Sequence, residues 1–98
     1  MEITKTLNET ALTIALQGRL DTSTAPILEA ELSSSLEGVT ELVVDFEALE
    51  YISSAGLRVM LAAQKTMSKQ GTMKVIHVND DIMEVFEITG FCDVLTIE

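Results

Sequence analysis

Cysteine and histidine are each limited to one copy, Cys92 and His77, so the chain has no internal disulfide framework and too few ligands for a conventional zinc cluster. A reducing, cytoplasmic setting fits that poverty of thiols. Basic side chains are also scarce: 6 Lys and Arg stand against 16 Asp and Glu, a formal net charge of -10. Nucleic acid and anionic membrane surfaces repel such a chain at long range, which leaves proteins as the expected partners. No apolar run approaches the ~18–20 residues that span a bilayer. Met1-Glu2-Ile3-Thr4-Lys5-Thr6 has neither a basic n-region nor an apolar h-region, so a soluble, unsecreted protein with no direct membrane insertion is expected. Repeats, low-complexity segments and linkers are missing too, and 98 residues suit a single domain, 1–98, with one core.

Hydrophobic residues make up 47% of the chain, enough for that core, and their spacing sets the elements. Leu12, Ile14 and Leu16 alternate with Thr13, Ala15 and Gln17, the period of a half-buried strand. Ile3 to Leu7 pairs with it as a hairpin through Asn8-Glu9-Thr10, and Gly18 ends the strand. Arg19 to Thr24 supplies candidate N-caps ahead of Pro26, a residue suited to a first helical turn. The helix that follows carries Ala25, Leu28, Leu32 and Leu36 on one stripe, and Gly38 closes it.

Leu42 to Phe46 reads as an interior strand covered by helices, and Glu47 to Glu50 as a turn leading to Tyr51-Ile52. A second helix is predicted from about Ser54 to Lys69, with Ser53 or Ser54 as N-cap and Gly71 as its stop. Leu57, Met60, Leu61 and Gln64 define its sheet-facing stripe; Arg58, Lys65 and Lys69 share the opposite face. Met73 to Val78 reads as a strand, Asn79-Asp80-Asp81 as the capped start of a short helix with Ile82, Val85 and Phe86 inward, and Gly90 as its end. Val94 to Ile97 reads as a last strand. The expected fold is therefore α/β, a mixed sheet of about five strands with helices mainly on one face.

Ser53-Ser54-Ala55-Gly56 falls where a strand ends and a helix begins. A hydroxyl there is exposed and flanked by unpaired backbone N–H groups, at the positive end of the macrodipole, and is chemically suited to carry a phosphate. Simple N-capping by either serine is the competing reading. Gly56 costs about 1 kcal/mol relative to Ala inside a helix, which implies close approach of a backbone, the chain's own or a partner's. Asp21 and Thr22 suit a helix cap or turn, a partner contact or both, and Arg58 a partner carboxylate or a solvated face.

Catalysis finds no support. Asp45, at the end of a buried strand, has no evident second carboxylate for a general acid/base pair and reads as a turn-stabilising acceptor. A serine nucleophile would need a Gly-x-Ser-x-Gly elbow, and lone His77 lies in a separate predicted strand with no evident orienting acid. No glycine-rich run ends in Lys-Ser/Thr, so there is no P-loop, and no cofactor or metal motif is present.

Two segments together, Leu16-Gln17-Gly18-Arg19-Leu20-Asp21-Thr22-Ser23-Thr24-Ala25 and Leu42-Val43-Val44-Asp45-Phe46 through Tyr51-Ile52-Ser53-Ser54-Ala55-Gly56-Leu57-Arg58, resemble the STAS family, the fold of bacterial anti-sigma factor antagonists, with their spacing preserved. The predicted element order extends the resemblance over essentially the whole chain. It implies a non-enzymatic, cytoplasmic partner-switching protein. In its unphosphorylated form such a protein binds an anti-sigma factor serine kinase and releases a sigma factor for transcription. Serine phosphorylation switches it off, and a PP2C-type phosphatase reverses this.

Carried onto this chain, the acceptor is Ser54, with Ser53 the alternative, because family members often read Asp-Ser-Ser/Thr-Gly-Leu where this chain has Ser53-Ser54-Ala55-Gly56-Leu57. The implied partner surface comprises Asp21, Thr22, Ser53, Ser54, Gly56, Leu57 and Arg58. The resemblance also admits a STAS module of another partner-switching pathway, or a transporter-associated STAS subunit.

Overall fold

The computed structural model describes residues 1–98. Strand β1 (Glu2–Asn8) pairs antiparallel with β2 (Ala11–Leu20), the hairpin expected around Asn8-Glu9-Thr10, with Glu9 at φ 58 in its turn. Helix α1 (Ala25–Ser35) leads to β3 (Glu41–Ile52), α2 (Ser54–Ser68) to β4 (Thr72–Ile76), and α3 (Asp80–Thr89) to a single 3-10 turn over Phe91–Asp93. The strand order is β1-β2-β3-β4, with β2, β3 and β4 mutually parallel. Helical crossovers between adjacent parallel strands keep one hand, so α1 and α2 fall on the same side of the sheet.

Alternation divides the sheet into two faces. Leu12, Ile14 and Leu16 of β2 align with Leu42, Val44 and Phe46 of β3 and with Met73 and Val75 of β4, all buried. Beneath the helices they meet Leu28 and Leu32 of α1, Val59, Met60, Ala63 and Met67 of α2, and Ile82 and Phe86 of α3. Phe86 packs on Phe46 with ring centroids 6.1 Å apart. No polar side chain is buried in this core. The opposite face, which carries Thr13, Ala15, Val43, Asp45, Lys74 and Ile76, is only half-buried.

The structure corrects several boundaries. Neither Gly18 nor Glu47 to Glu50 interrupts a strand. Strand β2 runs through Gly18 at φ 104 to Leu20, and β3 runs through to Ile52, with register shifts between Ala15 and Gln17 and between Gly18 and Arg19. At each shift β3 carries one residue more than β2, the signature of a bulge. The buried positions of β3 accordingly change from a step of two (Leu42, Val44, Phe46) to a step of three (Leu49, Ile52), a rhythm that alternation alone cannot anticipate.

The expected fifth strand at Val94 to Ile97 is also absent. Only Ile97 bridges to Val75, through Val75 N–H to Thr96 O and Glu98 N–H to Val75 O, each 2.9 Å. The sheet has four strands because the Phe91–Asp93 turn and buried Leu95 use the preceding residues to close the core. His77 lies just beyond β4, at φ 58, and not within it. On α2 the buried stripe is wider than expected. Leu57 and Met60 are buried, but Leu61 and Gln64 are half-buried while Val59, Ala63 and Met67 are covered, because the helix packs against α1 as well as the sheet.

Candidate functional site

Strands β2 and β3 end side by side, Leu20 opposite Ile52, and the Ser53 N–H donates to Leu20 O at 2.9 Å. This ties the start of α2 to the loop that opens α1. In that loop Asp21 organises the turn: its Oδ1 accepts from the Ser23 N–H (3.0 Å), the Ser23 hydroxyl (2.8 Å) and the Thr24 N–H (3.1 Å). The Asp21 N–H donates to Thr24 Oγ1 at 2.8 Å, and that hydroxyl donates to Arg19 O at 2.8 Å. The Ser23 hydroxyl, helped by the Thr24 and Ser23 amides, outweighs partial burial and holds the Asp21 carboxyl below its ordinary value. Asp21 thus closes a turn ahead of α1 and is not its N-cap. Thr24, the N-cap of α1, makes no side-chain cap bond to its own helix. Thr22 is exposed.

The two serines differ in role. Ser53 is the N-cap of α2, with extended backbone (φ -101, ψ 176), and its Oγ is buried with no hydrogen-bond partner. Ser54 is the first helical residue and is exposed. The first intrahelical bond runs from the Leu57 N–H to Ser53 O at 3.0 Å. The amides of Ser54, Ala55 and Gly56 therefore have no partner within the helix, as at any helix start. An oxyanion on Ser54 would sit beside these donors.

Gly56 and Leu57 belong to the core and not to the exposed surface expected of them. Gly56 is buried and Leu57 is 7% exposed. A Cβ on Gly56 would lie 2.7 Å from Leu20 Cγ and 2.8 Å from Ile52 Cγ1, so what excludes a side chain is two of the chain's own side chains and not the backbone expected to approach there. These two residues support the site from beneath. Above them, Thr22, Ala25, Pro26, Ala55, Arg58 and Val59 line a shallow groove between the starts of α1 and α2. Both Thr22 and Arg58 are exposed along it.

Residues 2–98 match the family model described as the STAS domain. The chain belongs to the STAS domain family. Among its STAS relatives, a Bordetella bronchiseptica protein named putative anti-sigma factor antagonist BtrV is 36% identical over 99 aligned residues, covering 99% of this chain and 85% of that one. The STAS fold here also superposes on an anti-sigma factor antagonist from Mycobacterium paratuberculosis (TM-score 0.89, 21% identity, 98% of this chain and 83% of that one). It matches the Bacillus protein SpoIIAA in both its unphosphorylated form (TM-score 0.78, 18% identity, 99% and 87% covered) and its phosphorylated form (TM-score 0.77, 19% identity, 99% and 91% covered).

Two groupings in this STAS domain escape the sequence. Arg19 stacks over Tyr51, its Cζ 4.2 Å from the ring centroid, a cross-strand pair between the bulged ends of β2 and β3. The second overturns the expected isolation of Asp45 and His77, although Asp45 does accept from local backbone as expected: His77 Nδ1 donates to Asp45 Oδ1 at 2.8 Å, and Glu47 Oε2 lies 3.9 Å from the same nitrogen. The imidazole has an orienting acid and Asp45 has a neighbouring carboxylate. Partial burial works to raise the Asp45 pKa, but the Glu47 N–H (2.9 Å) and His77 outweigh it and lower it. The hydrogen bond to Asp45, aided by both nearby negative charges, raises the His77 pKa above 6.5 against slight burial. No spacing signal links His77 to Asp45, 32 residues earlier.

Proposed function

We propose that this chain is a phosphorylation-switched anti-sigma factor antagonist acting as a single, non-catalytic domain in the cytoplasm. Unmodified, it binds an anti-sigma factor serine kinase and so releases a sigma factor. Phosphorylation of Ser54 ends that binding, and a PP2C-type phosphatase restores it. The observation that carries this reading is the contrast between the serines: the Ser54 hydroxyl is exposed beside free amides, whereas the Ser53 Oγ is buried. A kinase reaches the first and not the second.

The docking surface is the rim formed by exposed Thr22, Ser54 and Arg58 with half-buried Asp21, shaped by Ser53, Gly56 and Leu57 below. A phosphate adds about −1.5 to −2 charges and three acceptor oxygens. The helix start satisfies this anion within the monomer, but pressed against a partner it is desolvated and repels nearby carboxylates or nucleotide phosphates. The likeness of the fold to SpoIIAA in both phosphorylation states supports a modification that leaves the domain intact.

Incubation with ATP and the cognate kinase, followed by intact-mass analysis, tests the reading. One phosphate is expected on the wild type and on Ser53→Ala, and none on Ser54→Ala. Ser54→Ala stays bound to the kinase, while Ser54→Asp binds at least about tenfold more weakly, a change of about 1.4 kcal/mol. Absence of any phosphorylation would favour a transporter-associated role or another STAS pathway.

A further inference from the structure

Asp45, Glu47 and His77 present one imidazole nitrogen and two carboxylates whose ligating atoms all lie within 4.8 Å of one another. They converge from two elements: Asp45 and Glu47 lie on β3 at its first bulge, and His77 is the residue after β4. We propose that these three side chains bind a divalent first-row transition metal of the Zn2+ type. The inference is independent of the Ser54 switch.

Donor geometry comes first. Bonds of ~2.1 Å arranged tetrahedrally hold ligand atoms about 3.4 Å apart. Here His77 Nδ1 stands 2.8 Å from Asp45 Oδ1 and 3.9 Å from Glu47 Oε2. Shifts of about half an ångström would bring both spacings to the tetrahedral value. Glu47 has the freedom to make such a shift, since its side chain is 78% exposed, while Asp45 at 22% is the anchored member. The Glu47 N–H donates to Asp45 Oδ1, the kind of outer hydrogen bond that orients a ligating carboxylate.

Donor chemistry narrows the ion. Two carboxylates neutralise a dication, and an imidazole nitrogen suits zinc and its first-row neighbours, whereas calcium and magnesium seek oxygen shells. Three protein ligands leave a position for water or for a group from outside. In the metal-bound form the ion takes the place of the proton that His77 Nδ1 donates to Asp45.

The test uses the untagged full chain titrated with Zn2+. Because His77 is the only histidine, its imidazole NMR signals report on the site without ambiguity. The expected results are saturable one-to-one binding and a shift of those signals. Equimolar Ca2+ should neither compete nor shift them. His77→Gln and Glu47→Gln each weaken binding by at least about tenfold, since loss of even an outer partner typically costs 10–100-fold in metal affinity. Cys92→Ser, which removes the exposed thiol, leaves binding unchanged. Undisturbed His77 signals at saturating Zn2+ would overturn the proposal whether or not the variants fold. So would binding by His77→Gln equal to wild type, or loss in Cys92→Ser alone.

Discussion

Position within a single helical turn separates Ser53 from Ser54. The capping residue turns its oxygen into the protein, and the next residue turns outward. Gly56 then decides how close α2 comes to Leu20 and Ile52. Replacing it with Ala gains about 1 kcal/mol of helix propensity, but the new methyl meets two branched, buried side chains at 2.7 and 2.8 Å. Overpacking of this kind costs typically 1–3 kcal/mol, so Gly56→Ala is expected to lower the urea midpoint while retaining one phosphate in the kinase assay. Asp21 gives a pH-dependent prediction. Its folded-state pKa lies below the ordinary 3.8, so its contribution is present above the unfolded value and is lost as pH falls through the folded one. The Ser23 and Thr24 amide resonances should therefore move together in an acid transition with its midpoint below 3.8, and Asp21→Asn should abolish it.

Among the elements, those with regular rhythm were legible in the sequence. The hairpin, α1 with its stripe from Ala25 to Leu32, and α3 with its Asn79 cap all follow from spacing and capping; Asn79 Oδ1 accepts from the Ile82 N–H at 2.8 Å. What escaped was structure made by tertiary pairing. The bulges of β3 turned Glu47 to Glu50 from an apparent turn into strand, and closure of the core by Leu95 reduced the last strand to a bridge. Gly71 was legible as the stop of α2, but its packing was not. A Cβ there would fall 1.9 Å from the Thr40 carbonyl oxygen, where the α2–β4 loop is pressed onto the start of β3. Backbone cannot yield as a side chain can, so Gly71→Ala should destabilise by at least the upper end of the ~1–3 kcal/mol overpacking range. Chemical denaturation of this variant beside Gly56→Ala should rank Gly71→Ala as the more damaging.

For the whole molecule, β2 and β3 are adjacent and parallel and so deliver their following segments, the two halves of the sequence motif, to one end of the sheet, where the candidate site lies. The division of labour within that site was not legible. Burial places Leu57, Gly56 and the Ser53 hydroxyl beneath the surface and leaves Thr22, Ser54 and Arg58 exposed, with Asp21 half-buried beside them. A domain whose core contains no buried polar side chain has little to lose from one more surface charge. Phosphorylation at Ser54 should accordingly leave the thermal midpoint within a few degrees, since ~1 kcal/mol corresponds to about 4–8 °C in a domain of this size.

The switch is tested most directly by the affinity of the anti-sigma kinase for the unmodified and the singly phosphorylated chain, measured side by side with fragment mass spectrometry to locate the phosphate. The expected outcome is a phosphate on Ser54 and binding weakened at least about tenfold, ~1.4 kcal/mol. Equal affinity of the two forms, or a phosphate found on Ser53, would contradict it.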